Sequence, residues 1–228
     1  MKWLIAGFAA VVVLAFAGPA HASFILTLGD VELLSSSPLS VEVDALESND
    51  KAWTFTERVG LKLSGDFTVN IVAPGRYNGL IVKDIHSIPV NQFIDTHFVS
   101  FDPVGRPTKS DPASFAQGSM TFDQDVLAII THHRQLWDTE ALGFGASGTD
   151  YPPNNVDFGR GVDAVVSAYD FVELSTDRRT VSFAFAARTP GDQFRVVTAS
   201  AVPEPSSLVL WLVGAAVGFG AWRRRRKR

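Results

Sequence analysis

Between residues 24 and 200 the apolar positions recur mostly with a period of two. Trp53, Phe55 and Glu57 share one parity, and Leu61, Leu63, Gly65, Phe67, Val69 and Ile71 form another run. Val41 and Val43 alternate with Glu42 and Asp44. Alternation of this kind is the pattern of a strand with one wet face. The same reading gives strands at 24–34, 80–85, 92–101, 118–131, 162–174, 180–187 and 193–200. Ser64-Gly65-Asp66 reads as a hairpin turn or a bulge, and Pro74 to Gly79 as a turn cluster. Residues 102–117 and 145–161, rich in Pro, Gly, Asp and Asn, read as exposed loops. Ser175 to Arg179 lies between two apolar runs and predicts a hairpin. Only Arg134 to Phe144 suggests a helix, and a short one. Eight to ten strands with short turn spacing predict an all-β fold, an antiparallel β-sandwich or jelly-roll-like body.

The two ends follow a different pattern. Met1-Lys2-Trp3 is followed by an apolar run from Leu4 to Ala17, a Gly18-Pro19 break and the small residues Ala20 and Ala22. That order is a secretory signal peptide over 1–22, with Ala20 and Ala22 read by signal peptidase and cleavage before Ser23. At the other end Pro203, Glu204 and Pro205 precede an apolar segment, read as a transmembrane helix over about 207–222, and the basic run Arg223, Arg224, Arg225, Arg226, Lys227 and Arg228. Its uninterrupted apolar part, Leu208 to Trp222, makes roughly 22 Å of helix, short for a hydrocarbon core about 30 Å thick. The basic run stays on the cytoplasmic side, which agrees with a body exported by the signal peptide. The body is thus a single ectodomain over 23–202, and 203–228 is a separate signal.

Charge and composition then narrow the chemistry. The whole chain carries a formal charge of -4, but six of its basic residues sit in the last six positions. Residues 23–202 hold 13 basic and 23 acidic side chains, a formal charge of -10. Phosphate backbones repel such a body, so no nucleic acid partner is expected. The absence of cysteine removes disulfides, thiol catalysis and Cys-ligated zinc.

No residue set points to catalysis. There is no Gly-x-Ser-x-Gly elbow, and nothing singles out a carboxylate pair among the acids. His132 and His133 are adjacent, so on a strand they face opposite ways, and His86 and His97 lack ligand spacing relative to them. Asp123 and Asp125 put two carboxylates on one strand face, and Asp150, Asn154, Asn155 and Asp157 fall in a loop, but the ordered calcium-loop pattern is missing. Trp53, Tyr77, Trp137 and Tyr151 are candidates for a sugar-binding platform. The expectation is a body with no catalytic residues, no metal and no cofactor.

Val202-Pro203-Glu204-Pro205-Ser206-Ser207, the short apolar segment and the terminal Arg cluster together resemble the PEP-CTERM sorting signal. Two prolines hold the motif extended and deny it helical hydrogen bonds, which suits entry into a protease groove. The resemblance implies a Gram-negative bacterium that makes exopolysaccharide, an integral-membrane exosortase as processing partner, and transient anchoring in the inner membrane. Cell-surface or extracellular release would follow. Segments Gly118 to Asp123, Gly148 to Pro152, Val172 to Ser175 and Gly191 to Val196 resemble a β-rich ectodomain found with this tail, in which Asp-Gly usually stands where Asp177-Arg178 stands here. The function this implies is a non-enzymatic structural or binding role in the extracellular matrix, associated with exopolysaccharide. A carbohydrate-binding module is the alternative, and an enzyme acting on the polymer a further one.

Overall fold

The computed structural model describes residues 24–78, 86–89, 92–105, 112–153, 161–162, 169–188 and 191–200. The predicted signal peptide and the tail from Pro203 onward lie outside them, as do residues 79–85 and 163–168, where strand was expected. In chain order the strands are β1 (Phe24–Gly29), β2 (Val31–Leu33), β3 (Ala52–Lys62), β4 (Phe67–Val69), β5 (Gly75–Asn78), β6 (His86–Ile88), β7 (Phe93–Phe101), β8 (Ser114–Phe122), β9 (Val126–Ile130), β10 (Phe171–Leu174), β11 (Thr180–Ala187) and β12 (Asp192–Ala199). Helix α1 (His133–Ala141) lies between β9 and β10. Sheet one runs β1-β8-β11-β10-β5, sheet two β2-β3-β7-β12-β9, and β4 pairs with β6. Every pairing between these strands is antiparallel except β2 with β3.

The two large sheets share one core. Met120, Phe122, Val181, Phe183 and Phe185 from sheet one mix with Val99, Phe101, Ile129, Phe194 and Val196 from sheet two. The ring centroids of Phe183 and Phe194 are 5.5 Å apart, edge to face. Sheet two is also buried on its other face, where Phe55, Ile94, Phe98, Ile130 and Val197 meet Phe67, Ile88, Leu136 and Phe144. This second layer is built from α1, the β4–β6 pair and the loop after the helix. Sheet one has no such cover among the described residues, and its outer face carries the exposed Leu26, Leu28 and Phe115.

The chain passes between the sheets at one corner. Residues 24–34 do not form the single strand expected. Gly29, at φ +75, ends β1, and a Cβ there would lie 2.4 Å from the Gln117 carbonyl oxygen. Asp30 then ties the sheets together. Its N–H donates to Gln117 O (2.8 Å), its Oδ2 accepts from Gln117 N (3.0 Å), and its carbonyl accepts from Ala52 N (2.8 Å). A strand that changes sheets at a kink is a known way to make a sandwich corner.

Other departures have local causes. Val41 and Val43 do not lie in a strand. Val41 is buried, and Asp44 takes φ 68, which extended backbone excludes. The break at Ser64 to Asp66 separates β3 from β4, which do not pair with each other. Gly75 to Asn78 is an edge strand and not a turn, since β10 supplies its partners. The expected loop 102–117 ends early because Ser114 to Gln117 pair with Ala184 to Ala187 of β11. The 175–179 hairpin forms as expected, with Arg178 at φ 60 where Gly would be at ease. Its guanidinium donates to the carbonyls of Val72 (2.9 Å), Val126 (2.9 Å) and Leu127 (3.3 Å). These charge-assisted bonds offset a left-handed cost of roughly 1–2 kcal/mol.

Candidate functional site

The outer face of sheet one forms a trench. Antiparallel register puts directly paired residues on the same side of a sheet. Leu28 pairs with Ser119, Ser119 with Ser182, Ser182 with Glu173, and Glu173 with Arg76. The neighbouring row runs Gln117, Ala184, Phe171 and Asn78. Small and polar side chains on β8 and β11 therefore make the floor. Leu26 and Leu28 stand along one side. Phe171 stands on the other, with the Arg76 guanidinium 3.7 Å from its ring centroid. The depression is about 380 Å³ and includes Asp30 and Gln117 at the corner of the fold. At one end Phe115 and Tyr169, 57% and 69% exposed, meet edge to face with centroids 6.3 Å apart.

A buried polar node lies on the opposite side of sheet two. Arg195 of β12 is fully buried and meets Glu57 of β3 through two bonds, Nε to Oε2 (2.6 Å) and Nη2 to Oε1 (2.7 Å). Its Nη1 donates to Thr139 Oγ1 (2.6 Å) and Leu136 O (3.2 Å), and its Nη2 reaches Glu140 Oε1 at 3.4 Å. Tyr151 donates its hydroxyl to Glu57 Oε1 (2.6 Å) and accepts from Ala146 N (2.9 Å). Burial, then the Glu57 charge, pushes the Tyr151 phenol far above its ordinary value, so it remains a donor. Burial alone would lower the Arg195 pKa, but the Glu57 charge and hydrogen bond outweigh it and the pKa rises. The node pins α1 and the following loop to sheet two. It is enclosed, so its place is structural.

Among the described residues the last backbone bond is from Ser200 N to Phe93 O at 3.0 Å. Beyond it, residues 201–226 match the family described as PEP-CTERM protein-sorting motif. The chain carries a PEP-CTERM sorting signal. PEP-CTERM proteins are exported, anchored at the membrane before processing, and processed by an exosortase-type system. Neither the curated proteins nor the solved structures give a match to this chain.

The residues of the PEP-CTERM signal itself (Pro203, Glu204, Pro205 and Arg223 to Arg228) lie outside the described residues, as do Ala20 and Ala22. Among the described residues no helix is long and apolar enough to cross a membrane, and no group of His, Asp and Glu could hold a metal ion. The histidines are dispersed. His132 accepts from Arg134 N (3.3 Å) at the start of α1 and stacks on His133. His86 lies on β6. His97 is sealed between the sheets, bonded to Thr56 Oγ1 (3.1 Å) and Thr198 Oγ1 (3.2 Å). Asp123 and Asp125 occupy the turn between β8 and β9 and not a strand face, and Asp125 Oδ1 pairs with Arg179 at 3.4 Å. Asn154, Asn155 and Asp157 lie outside the described residues.

The four aromatics singled out from sequence do not form one platform. Tyr151 belongs to the buried node, Tyr77 packs against the shared core, Trp53 is on β3, and Trp137 is on α1. The exposed aromatics at the trench, Phe115 and Tyr169, were not among them. Phe115 lay in a segment read as loop. Only its pairing row, opposite Ala186, shows which way it faces.

Proposed function

We propose that this protein is a non-enzymatic component of the extracellular matrix, delivered by exosortase processing, whose acidic β-rich body associates with exopolysaccharide at or beyond the cell surface. The motif at 201–226, which follows β12 directly, carries this reading. The placement suits removal of the tail: cleavage near Pro203 severs no backbone bond of β12. The signal peptide over 1–22 and the apolar segment over about 207–222 supply the route, one sending the body out and the other holding it until processing. The role is binding or scaffolding and not turnover.

Mass spectrometry of the protein from its host tests the route. Mature protein is expected to begin at Ser23 and lack Arg223 to Arg228, and an exosortase-deleted strain is expected to retain that basic run in the membrane fraction. A basic tail retained on the mature protein of the parent strain would overturn the reading. Incubation with the host's polymer is expected to leave its chain length unchanged.

A further inference from the structure

We infer that the trench on the outer face of sheet one is the polymer-binding site, and that its ligand is an uncharged glycan chain. The inference rests on the exopolysaccharide reading and gives it a location and a ligand chemistry. Pyranose rings have an apolar C–H face and a rim of hydroxyls, so they need apolar side chains beside donors and acceptors. The trench offers that mixture. Ser119, Ser182 and Gln117 line its middle with hydroxyl and amide groups, Leu28 supplies an exposed apolar wall, and Phe115 stands exposed beyond one end, while Phe171 is buried beneath the Arg76 guanidinium. Pockets with few placed polar groups among apolar ones are the usual form of a small-ligand site.

The shape suits a chain more than a single compact ligand. The open floor follows β8 and β11 from the pair Thr180 and Thr121 to the pair Ala184 and Gln117. Four residue steps at about 3.3 Å each make a floor of roughly 13 Å. The outward residues of β11 along it, Thr180, Ser182 and Ala184, are all small, and beyond them Ala186 is buried. Backbone donors on this floor are already used in the sheet, so an added β-strand from a peptide has nothing to pair with there.

Charge decides the class of polymer. The corner carboxylate of Asp30 and that of Glu173 border the trench. Arg76, the guanidinium on its far wall, is laid on the Phe171 ring and donates to Asn78 Oδ1 at 3.1 Å. Two carboxylates against the one guanidinium, on a body of formal charge -10, leave an acidic surround which disfavours uronate or sulfate polymers.

Binding of the mature protein to host exopolysaccharide, separated by anion exchange into neutral and acidic fractions, tests this by affinity electrophoresis. Wild type is expected to be retarded by the neutral fraction. Ser182→Tyr, which fills the floor, and Phe115→Ala, which removes the exposed ring beyond one end, are expected to weaken retardation by about tenfold or more. Trp137→Ala, on α1 in the layer behind sheet two, is expected to bind as wild type. Unchanged melting of Phe115→Ala guards against a folding artefact in Ser182→Tyr. Equal binding by all variants would overturn the trench while leaving the matrix reading in place. Retardation by the acidic fraction alone would overturn the uncharged assignment. Retardation by neither would remove the matrix reading and the trench with it. A wild-type dimer that Ser182→Tyr converts to monomer in sedimentation would make the trench a contact between copies and overturn the glycan assignment.

Discussion

At the scale of single residues, two buried titratable groups oppose each other. Burial holds the His97 imidazole at about 3, well below its ordinary value of 6.5. The unfolded chain therefore binds a proton at His97 that the folded chain refuses, and stability is lost as pH falls from about 6.5 towards 3. The loss reaches about 2 kcal/mol at pH 5. Asp102 runs the other way: burial raises its carboxyl to about 6, so the folded chain gains stability as pH falls through 6 towards 3.8. That gain is about 1 kcal/mol at pH 5 and offsets part of the histidine loss. Thermal melting of Asp102→Asn is expected to fall more steeply than wild type between pH 6.5 and 4, and His97→Gln is expected to flatten or reverse the slope. Glu57 and Arg195 give a second prediction. Glu57→Gln or Arg195→Met leaves one group of a buried pair uncompensated, and each is expected to cost about 3–5 kcal/mol in urea unfolding. Replacing both with apolar residues is expected to cost less than the two single losses combined.

At the scale of elements, β12 is decisive because it is the last described strand in sequence yet interior to sheet two. It pairs with β7 along its whole length and with β9 on its other edge. Its odd and even positions feed different layers: Phe194 and Val196 enter the core between the sheets, while Arg195 and Val197 face α1 and its loop. The turn into it is equally constrained, since a Cβ on Gly191 would lie 1.7 Å from the Phe101 carbonyl oxygen. A chain ended after Ser200 is expected to melt at the wild-type temperature. A chain ended after Gly191 is expected to show no cooperative transition by circular dichroism, because sheet two then has a gap between β7 and β9. The sorting signal starts after this strand is complete, which is why its loss is expected to leave the melting temperature unchanged.

At the scale of the whole molecule, the two sheets have unequal fates. Sheet two is covered on both faces, and its centre holds strands whose residues are buried at nearly every position. Sheet one keeps one face open among the described residues, and the trench lies there. The layer of α1 and its loop therefore serves the fold, while the open face carries the proposed trench. The acidic charge sits on the body, and six basic residues sit at the tail's end, so protein processed near Pro203 is expected to migrate as a stronger anion than the full chain, whose formal charge is -4.

The sequence by itself determined the sorting signal and the β-rich class of the body. Export and sorting depend on short linear signals, read in an extended or helical state by an enzyme or a membrane, so residue order is enough to recognise Pro203, Glu204, Pro205 and the basic run. Period-two alternation likewise marks β3 as a strand, and β-branched and aromatic content marks β7, since both signals are local. Tertiary structure decided which strands pair, and hence everything about the face. Gly75 to Asn78 and Ser114 to Gln117 lack a strong pattern of their own and became strands because β10 and β11 offered partners. Residues 24–34 look like one strand and divide between two sheets because Gly29 can turn where Gln117 lies close. Nothing local marks Arg195 for full burial; β3 brings Glu57, 138 positions away, beside it. The trench was not legible for the same reason: its floor comes from β8 and β11, about 60 residues apart in the chain, and no local pattern records their register.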